Sequence, residues 1–539
     1  MKKFLSIVLV GTALSVCVGQ EGKHAHDPKA SNVERALEDQ ILHVGLGAEP
    51  RSIDPHLATS SSSHDVLTAL LEGLMSEDPK TLEPIPGVAE KWTVSKNWKS
   101  YVFHLRKNAK WSNGDPVTAH DFVYSYKRVL EPELDSSSAP YLYLLEGAKS
   151  FHEGKKSWDN AQVGVKALDD HTLKLTLEKP MYSFLAQLNH FIWFPVHPPT
   201  IERHDAEWTS PGNFVGNGPF ILTKRRANSF IMVERNPKYW DAAKVRLKGI
   251  RFYPIKSPDL EESAFQSGFL HLTKTVSADR LEALRKEKPN FLHFEPYWGT
   301  YFYQFNVDEP PFDDLRVRQA MSLAIDRESL VENVTKGGQL PAVSFTPPDK
   351  AGFTAWPRYK KDLVAAKKLI NEYLADKRLT KLPPIELKYN TSEGHRKLAV
   401  AMQGMWGKNL GIEIKLLNME WKVFLATTYK RDFVLARGGW IGNYLDAASF
   451  LQMWRADGKN NLTGWSNQRY DELLDLADKE SDGRKRFEYF DECEAILAKE
   501  MPIIPIYFYV HLTLRHPTVK GWYPNLLDRH PYKFIYLEK

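Results

Sequence analysis

Residues 385–416 constrain the fold more than any other stretch. "IELKYN" sets Ile385, Leu387 and Tyr389 on one side at period two, the spacing of a strand with one buried face. "HRKLAVAMQGMWGKNLG" then changes period. Leu398, Met402, Met405 and Trp406 fall on one helical face, and Gly411 stands where a helix stops. "IEIKLL" returns to period two with Ile412, Ile414 and Leu416. Strand, helix and strand over so short a span predict parallel strands joined by a right-handed crossover. The chain must therefore contain α/β structure.

The rest of the chain fits around this unit. "DDLRVRQAMSLAIDRESLVENVTKGG" reads as two helices. The first carries Val317, Ala320, Met321 and Ala324 on one face. The second is capped by Asp326, carries Leu330, Val331 and Val334, and stops at Gly337. The middle of the chain is richer in short strands, such as "HTLKLTLE" and "SFIMVER", with breaks near Gly212–Pro219, Pro296 and Pro341. At 539 residues the chain is too long for one core, so two or three domains are expected. A formal net charge of +5 is too small over this length to suggest nucleic acid as a partner.

Reactive motifs are missing. There is no H-E-x-x-H, G-x-S-x-G, P-loop or C-x-x-C pattern. "GLGAE" at Gly45 reads as a strand end, and His197 in "PVHPP" as a rigid turn. His24 and His26 could hold a metal but lack further ligands, so neither a metal nor a cofactor is expected. Cys493 lies at helical spacing with Phe490, Ile496 and Leu497 and reads as a buried structural thiol. By contrast, "ARGGWIGNYLD" (436–446) follows Phe433-Val434-Leu435, an apolar run that reads as a buried strand, with Arg437, three glycines and Trp440. This is the composition of a loop whose backbone must approach something closely.

Several blocks together resemble the bacterial extracellular solute-binding proteins of family 5, the peptide- and nickel-binding family of ABC importers. They are "EPRSIDPHLA" (49–58), "LLEGLM" (70–75), the run from Gly87 to Pro132 that includes "WSNGDPVTAHDF", "VGNGPFILTK" (215–224), "VERNPKYWD" (233–241) and "PPFDDLRVRQAMSLAIDRE" (310–328). "YNTSEGHRKLAV" and "FTPPD" point to the oligopeptide-binding branch. The resemblance implies an α/β, three-domain, two-lobed periplasmic-binding-protein-like fold of class II, with an extra small domain, closing over a ligand cleft. Residues 40–72, 197–298 and 511–539 would form a discontinuous domain I, 73–196 domain II and 299–510 domain III. It also implies a non-enzymatic, monomeric binder of oligopeptides or peptide-like ligands that delivers them to a permease. An oligosaccharide or a cell-wall peptide on the same scaffold is the alternative.

The resemblance further implies the site. Arg437 and His395 match residues that receive the peptide carboxylate, and Trp440 and Tyr141 match walls of side-chain pockets. Ser61 and the Gly438–Gly439 backbone would lie along the extended ligand, since strand-like pairing fixes a peptide without regard to its sequence. The residues alone leave other readings open: an interdomain ion pair for Arg437, a surface cap for His395, core packing for Trp440 and a plain interdomain contact for Tyr141. The pattern is broken at one place. The family has an aspartate for the peptide's ammonium where this chain has Asn443, and Asp446 follows three residues later.

The first residues read as an export signal. Lys2 and Lys3 precede an apolar run from Phe4 to Val16 that is too short to span a bilayer comfortably. "Leu14-Ser15-Val16-Cys17" resembles a lipobox, which makes Cys17 a candidate for lipidation. Cleavage after Ala13-Leu14-Ser15 is the alternative. Residues 1–19 are thus assigned as signal and 20–39 as tether. The expected location is periplasmic or extracytoplasmic, with the membrane reached only through a lipid anchor.

Overall fold

The structure, a computed structural model, describes residues 31–348 and 352–539. Two of its sheets have four strands. In the first, Ile41–Gly45 pairs in parallel with Gly249–Tyr253, followed by Phe230–Arg235 and Phe220–Arg226. The second is antiparallel, in the order Ala89–Val94, Ser100–Leu105, Thr172–Thr176 and Val165–Asp169. One continuous apolar cluster packs under both. The short strands expected in "HTLKLTLE" and "SFIMVER" are the 172–176 and 230–235 strands.

The third sheet has six strands: Leu340–Pro341, Ile503–Leu514, Leu292–Phe305, Leu435–Ile441, Ile385–Asn390 and Ile414–Met419. The expected crossover is here. The 385–390 and 414–419 strands are parallel neighbours, and helix Glu393–Leu410 joins them. That helix buries Leu398, Met402 and Trp406 and ends at Gly411 with φ +67°, a left-handed turn suited to glycine.

Strands 292–305 and 503–514 form a long ribbon whose pairing breaks between Pro296 and Thr300. Below the break, Leu292 opposes Leu514, whose carbonyl receives the Thr273 amide beside the first sheet. Above it the same strands lie at the centre of the six-stranded sheet. The ribbon thus connects the two sheets.

Some local expectations need correction. The strand after Phe433 does not end at Leu435; it starts there and continues through Ile441, so "ARGGW" is strand and not loop. The helix starting at Asp326 has one α-turn, Arg327–Ser329, and then a π-helical turn, Leu330–Thr335. It is closed by Lys336 at φ +54° and not by Gly337. His197 opens helix Pro198–His204 instead of a turn. The assigned tether ends in a helix: Asn32–Asp39 starts from a capping box between Ser31 and Glu34 and buries Val33 and Ala36. Cys493 is fully buried, and burial pushes its thiol far above the ordinary range. Cys17, His24 and His26 lie outside the described residues. No helix among the described residues is long and apolar enough to cross a membrane.

Candidate ligand-binding site

The strand from Leu435 to Ile441 organises the site, because its alternation separates two kinds of side chain. Arg437, Gly439 and Ile441 point to one face, opposite Tyr303, Tyr301 and Gly299 of the neighbouring strand. Gly438 and Trp440 point to the other. A Cβ on Gly438 would lie 2.3 Å from the Phe302 ring, so packing against that ring explains the glycine. Trp440 is half-buried on the same face, and its Nε1 donates to the Ser449 carbonyl at 2.7 Å. Gly439 is exposed, and a Cβ there would crowd the Tyr509 hydroxyl and the Arg437 guanidinium.

Arg437 sits among tyrosines. Its Nη2 donates to the Tyr509 hydroxyl at 3.0 Å, and the guanidinium lies 4.9 Å from the centre of the Tyr301 ring. Among the described residues its Nε has no hydrogen-bond partner and no carboxylate forms a salt bridge with it. His395, in the first turn of helix 393–410, packs its ring 5.5 Å from that of Tyr301. Burial and then the Arg437 charge hold His395 down at about 4, so it is neutral at pH 7. The two residues assigned to the carboxylate end therefore meet on one tyrosine.

The other residues gather farther along the strand. A cavity of about 440 Å³ is lined by Ser61, Tyr141, His190, Asn443, Asp528 and Arg529, among others. Asn443 Nδ2 donates to the Tyr141 hydroxyl at 3.1 Å, and its backbone carbonyl accepts from Arg529 Nη2 at 2.5 Å. Arg529 also pairs with Glu77 at 2.7 Å. Tyr141 stacks on His190 with ring centres 4.9 Å apart. Asp446 turns elsewhere: it pairs with Arg486 at 2.7 Å and accepts from the Ala448 amide at 2.9 Å.

Sequence reasoning missed Tyr301, Tyr509 and Arg529. The tyrosines had a signal, since "IYFYVHLTL" alternates like a strand with Tyr507 and Tyr509 on one face. Arg529 had none, because it follows a segment without regular structure. Among the described residues one trio, Glu295, Asp528 and His530, brings possible metal ligands together. Arg515 at 2.8 Å from Glu295 and Lys274 at 3.4 Å from Asp528 already neutralise its carboxylates.

Comparison with known proteins gives consistent results. The family model described as bacterial extracellular solute-binding proteins, family 5, matches residues 83–461. The periplasmic oligopeptide-binding protein OppA of Salmonella typhimurium is 39% identical over 511 residues, 93% of this chain and 92% of that protein. The structure of the periplasmic murein tripeptide-binding protein MppA in its unliganded open form superposes with a TM-score of 0.80 at 35% identity. It covers 93% of this chain and 98% of that one. Haemophilus influenzae OppA in complex with the peptide RPPGFSPFR gives 0.75 at 31% identity, over 93% and 99% of the two chains.

Proposed function

Because the chain belongs to the bacterial extracellular solute-binding proteins of family 5, we propose that it captures peptides outside the cytoplasmic membrane and passes them unaltered to the permease of an ABC importer. The observation that carries this reading is Arg437. A half-buried guanidinium whose Nε is shielded from water, without an acidic partner among the described residues, is costly to desolvate further, and an incoming carboxylate would offset that cost. The tyrosines around it supply no negative charge to balance it.

The strand supplies the rest. From Arg437 to Ile441 the extended strand covers on the order of 13 Å, the reach of a peptide of about four residues, and Asn443 follows in a bend. The exposed Gly439 leaves the strand open to such a ligand on one face. The proposed three-part division, with domains at 40–72/197–298/511–539, 73–196 and 299–510, puts Ser61, Tyr141 and Asn443 on three different parts around one cavity. The break in the ribbon at Pro296–Thr300 suits a hinge between them.

Native mass spectrometry of the protein as purified, followed by calorimetry with tri- to hexapeptide mixtures, tests the reading. Stoichiometric capture of intact peptide is expected. Shortened products, or binding of sugars without peptides, would refute it.

A further inference from the structure

We infer that the end of the cleft bordered by Asn443 takes an uncharged end of the ligand, so that peptides held there carry an acylated or amide-linked nitrogen and not a free α-ammonium. This inference rests on the peptide reading above and narrows it.

The argument is an accounting of charge around one cavity. Among the described residues only two acids line it, Asp65 and Asp528. Lys274 lies 3.0 Å from Asp65 and 3.4 Å from Asp528, and Asp528 also takes His511 at 3.1 Å and His530 at 3.0 Å. His511 Nε2 faces the Lys274 carbonyl and its Nδ1 faces the Asp528 carboxylate, so a proton is favoured on both nitrogens. Lys274 and a protonated His511 then balance the two carboxylates. The remaining cation on the wall, Arg529, is balanced by Glu77 behind it. No negative charge is left over for a ligand.

Asn443 does not supply one. It offers a neutral amide whose nitrogen is already directed at Tyr141, and the Arg529 guanidinium is bonded to its backbone carbonyl. An ammonium brought to Asn443 would lose its hydration, gain no charged partner and stand beside a cation. Asp446 cannot substitute, because its carboxylate is held by Arg486 and the Ala448 amide. The wall instead presents the Ser61 hydroxyl and the rings of Tyr141, Phe191 and Tyr297, which suit a carbonyl and a short apolar group. Burial keeps His64 and His190 well below their usual range, so they add no charge near neutrality.

The test is calorimetry at pH 7 with tri-, tetra- and pentaalanine, each as the free amine and as the N-acetyl derivative, on wild type and on Asn443→Asp. Wild type is expected to bind the acetylated peptides at least as tightly as the free amines. Asn443→Asp is expected to shift the preference toward free amines by about tenfold. A wild-type preference of about tenfold or more for free amines would overturn the inference while leaving the peptide reading intact. Failure of every peptide to bind wild type would overturn the peptide reading, and this inference with it. The wild-type comparison is decisive by itself, so a misfolded variant would not rescue the idea.

Discussion

The Arg437 guanidinium donates to the Tyr509 hydroxyl at 3.0 Å and forms no salt bridge with any described carboxylate. A half-buried cation held, among the described residues, by phenols and ring faces is poised for an anion. Arg437→Ala should weaken binding of free-acid peptides by on the order of 2–5 kcal/mol, since the ligand carboxylate would be left buried and unpaired. Peptides with an amidated C-terminus should lose much less. Calorimetry on matched acid and amide pairs checks this, and equal losses for both would mean that Arg437 merely packs the strand.

Asp446 has a different role. Its pair with the almost fully buried Arg486 and its bond to the Ala448 amide favour a structural role. Asp446→Ala should therefore lower stability by about 3–5 kcal/mol, the cost of stranding a buried guanidinium. Peptide affinity, measured below the new unfolding transition, should be nearly unchanged. A stable variant that no longer binds would reverse the assignment.

How much of this was legible in the sequence depended on whether the signal was local. The 385–416 crossover was readable because its periodicity and its stop at Gly411 lie within one short stretch. The strand through Gly438 was not, because what makes glycine acceptable there is the Phe302 ring, far away in sequence. Ser31 and Glu34 did carry a capping signal, but a polar segment next to an expected export signal invites reading as a tether. At the site, Arg437 and Asn443 were visible as residue types. That Arg437 lacks an acid, and that Arg529 adjoins Asn443, depended on contacts between distant segments.

The broken ribbon makes a prediction about motion. If one ligand touches Arg437 beyond the break and Ser61 near the first sheet, binding must favour a closed arrangement. Small-angle scattering at saturating peptide should show a smaller radius of gyration than the ligand-free protein. An unchanged radius with saturation demonstrated would count against closure.

The expected export signal makes another. If Cys17 is lipidated, the protein should appear in the membrane fraction, and Cys17→Ser should release it or block processing. Several acyl chains anchor stably where one holds only marginally. Wild-type protein recovered in the soluble fraction with Val16 as its first residue would show that the alternative cleavage operates.

The last prediction concerns acid. An unfolded histidine takes up its proton near 6.5. In the fold, burial, followed by the neighbouring His271 and Arg251, holds His43 at about 3. Burial and then His516 hold His271 at about 3, and burial and then Arg128 hold His56 at about 4. These folded values lie below the unfolded one, so between them the unfolded chain binds more protons. The stability these groups contribute is complete above pH 6.5 and is lost as pH falls toward 3. At pH 5 each would contribute a loss of about 2 kcal/mol, enough together to rival the net stability of an ordinary domain. His511 works the other way. Although burial pulls it down, the Asp528 carboxylate raises it, so its contribution is complete below pH 6.5 and is lost as pH rises above that, outside the window in which the other three act. The melting temperature should therefore decline from pH 6.5 to pH 5, before most carboxylates titrate, and His271→Gln should make that decline shallower even if it lowers stability at pH 7. Differential scanning fluorimetry across this range reads both slopes. A melting temperature that stays level from pH 7 to pH 5, with a slope that His271→Gln does not change, would count against a net contribution from these histidines.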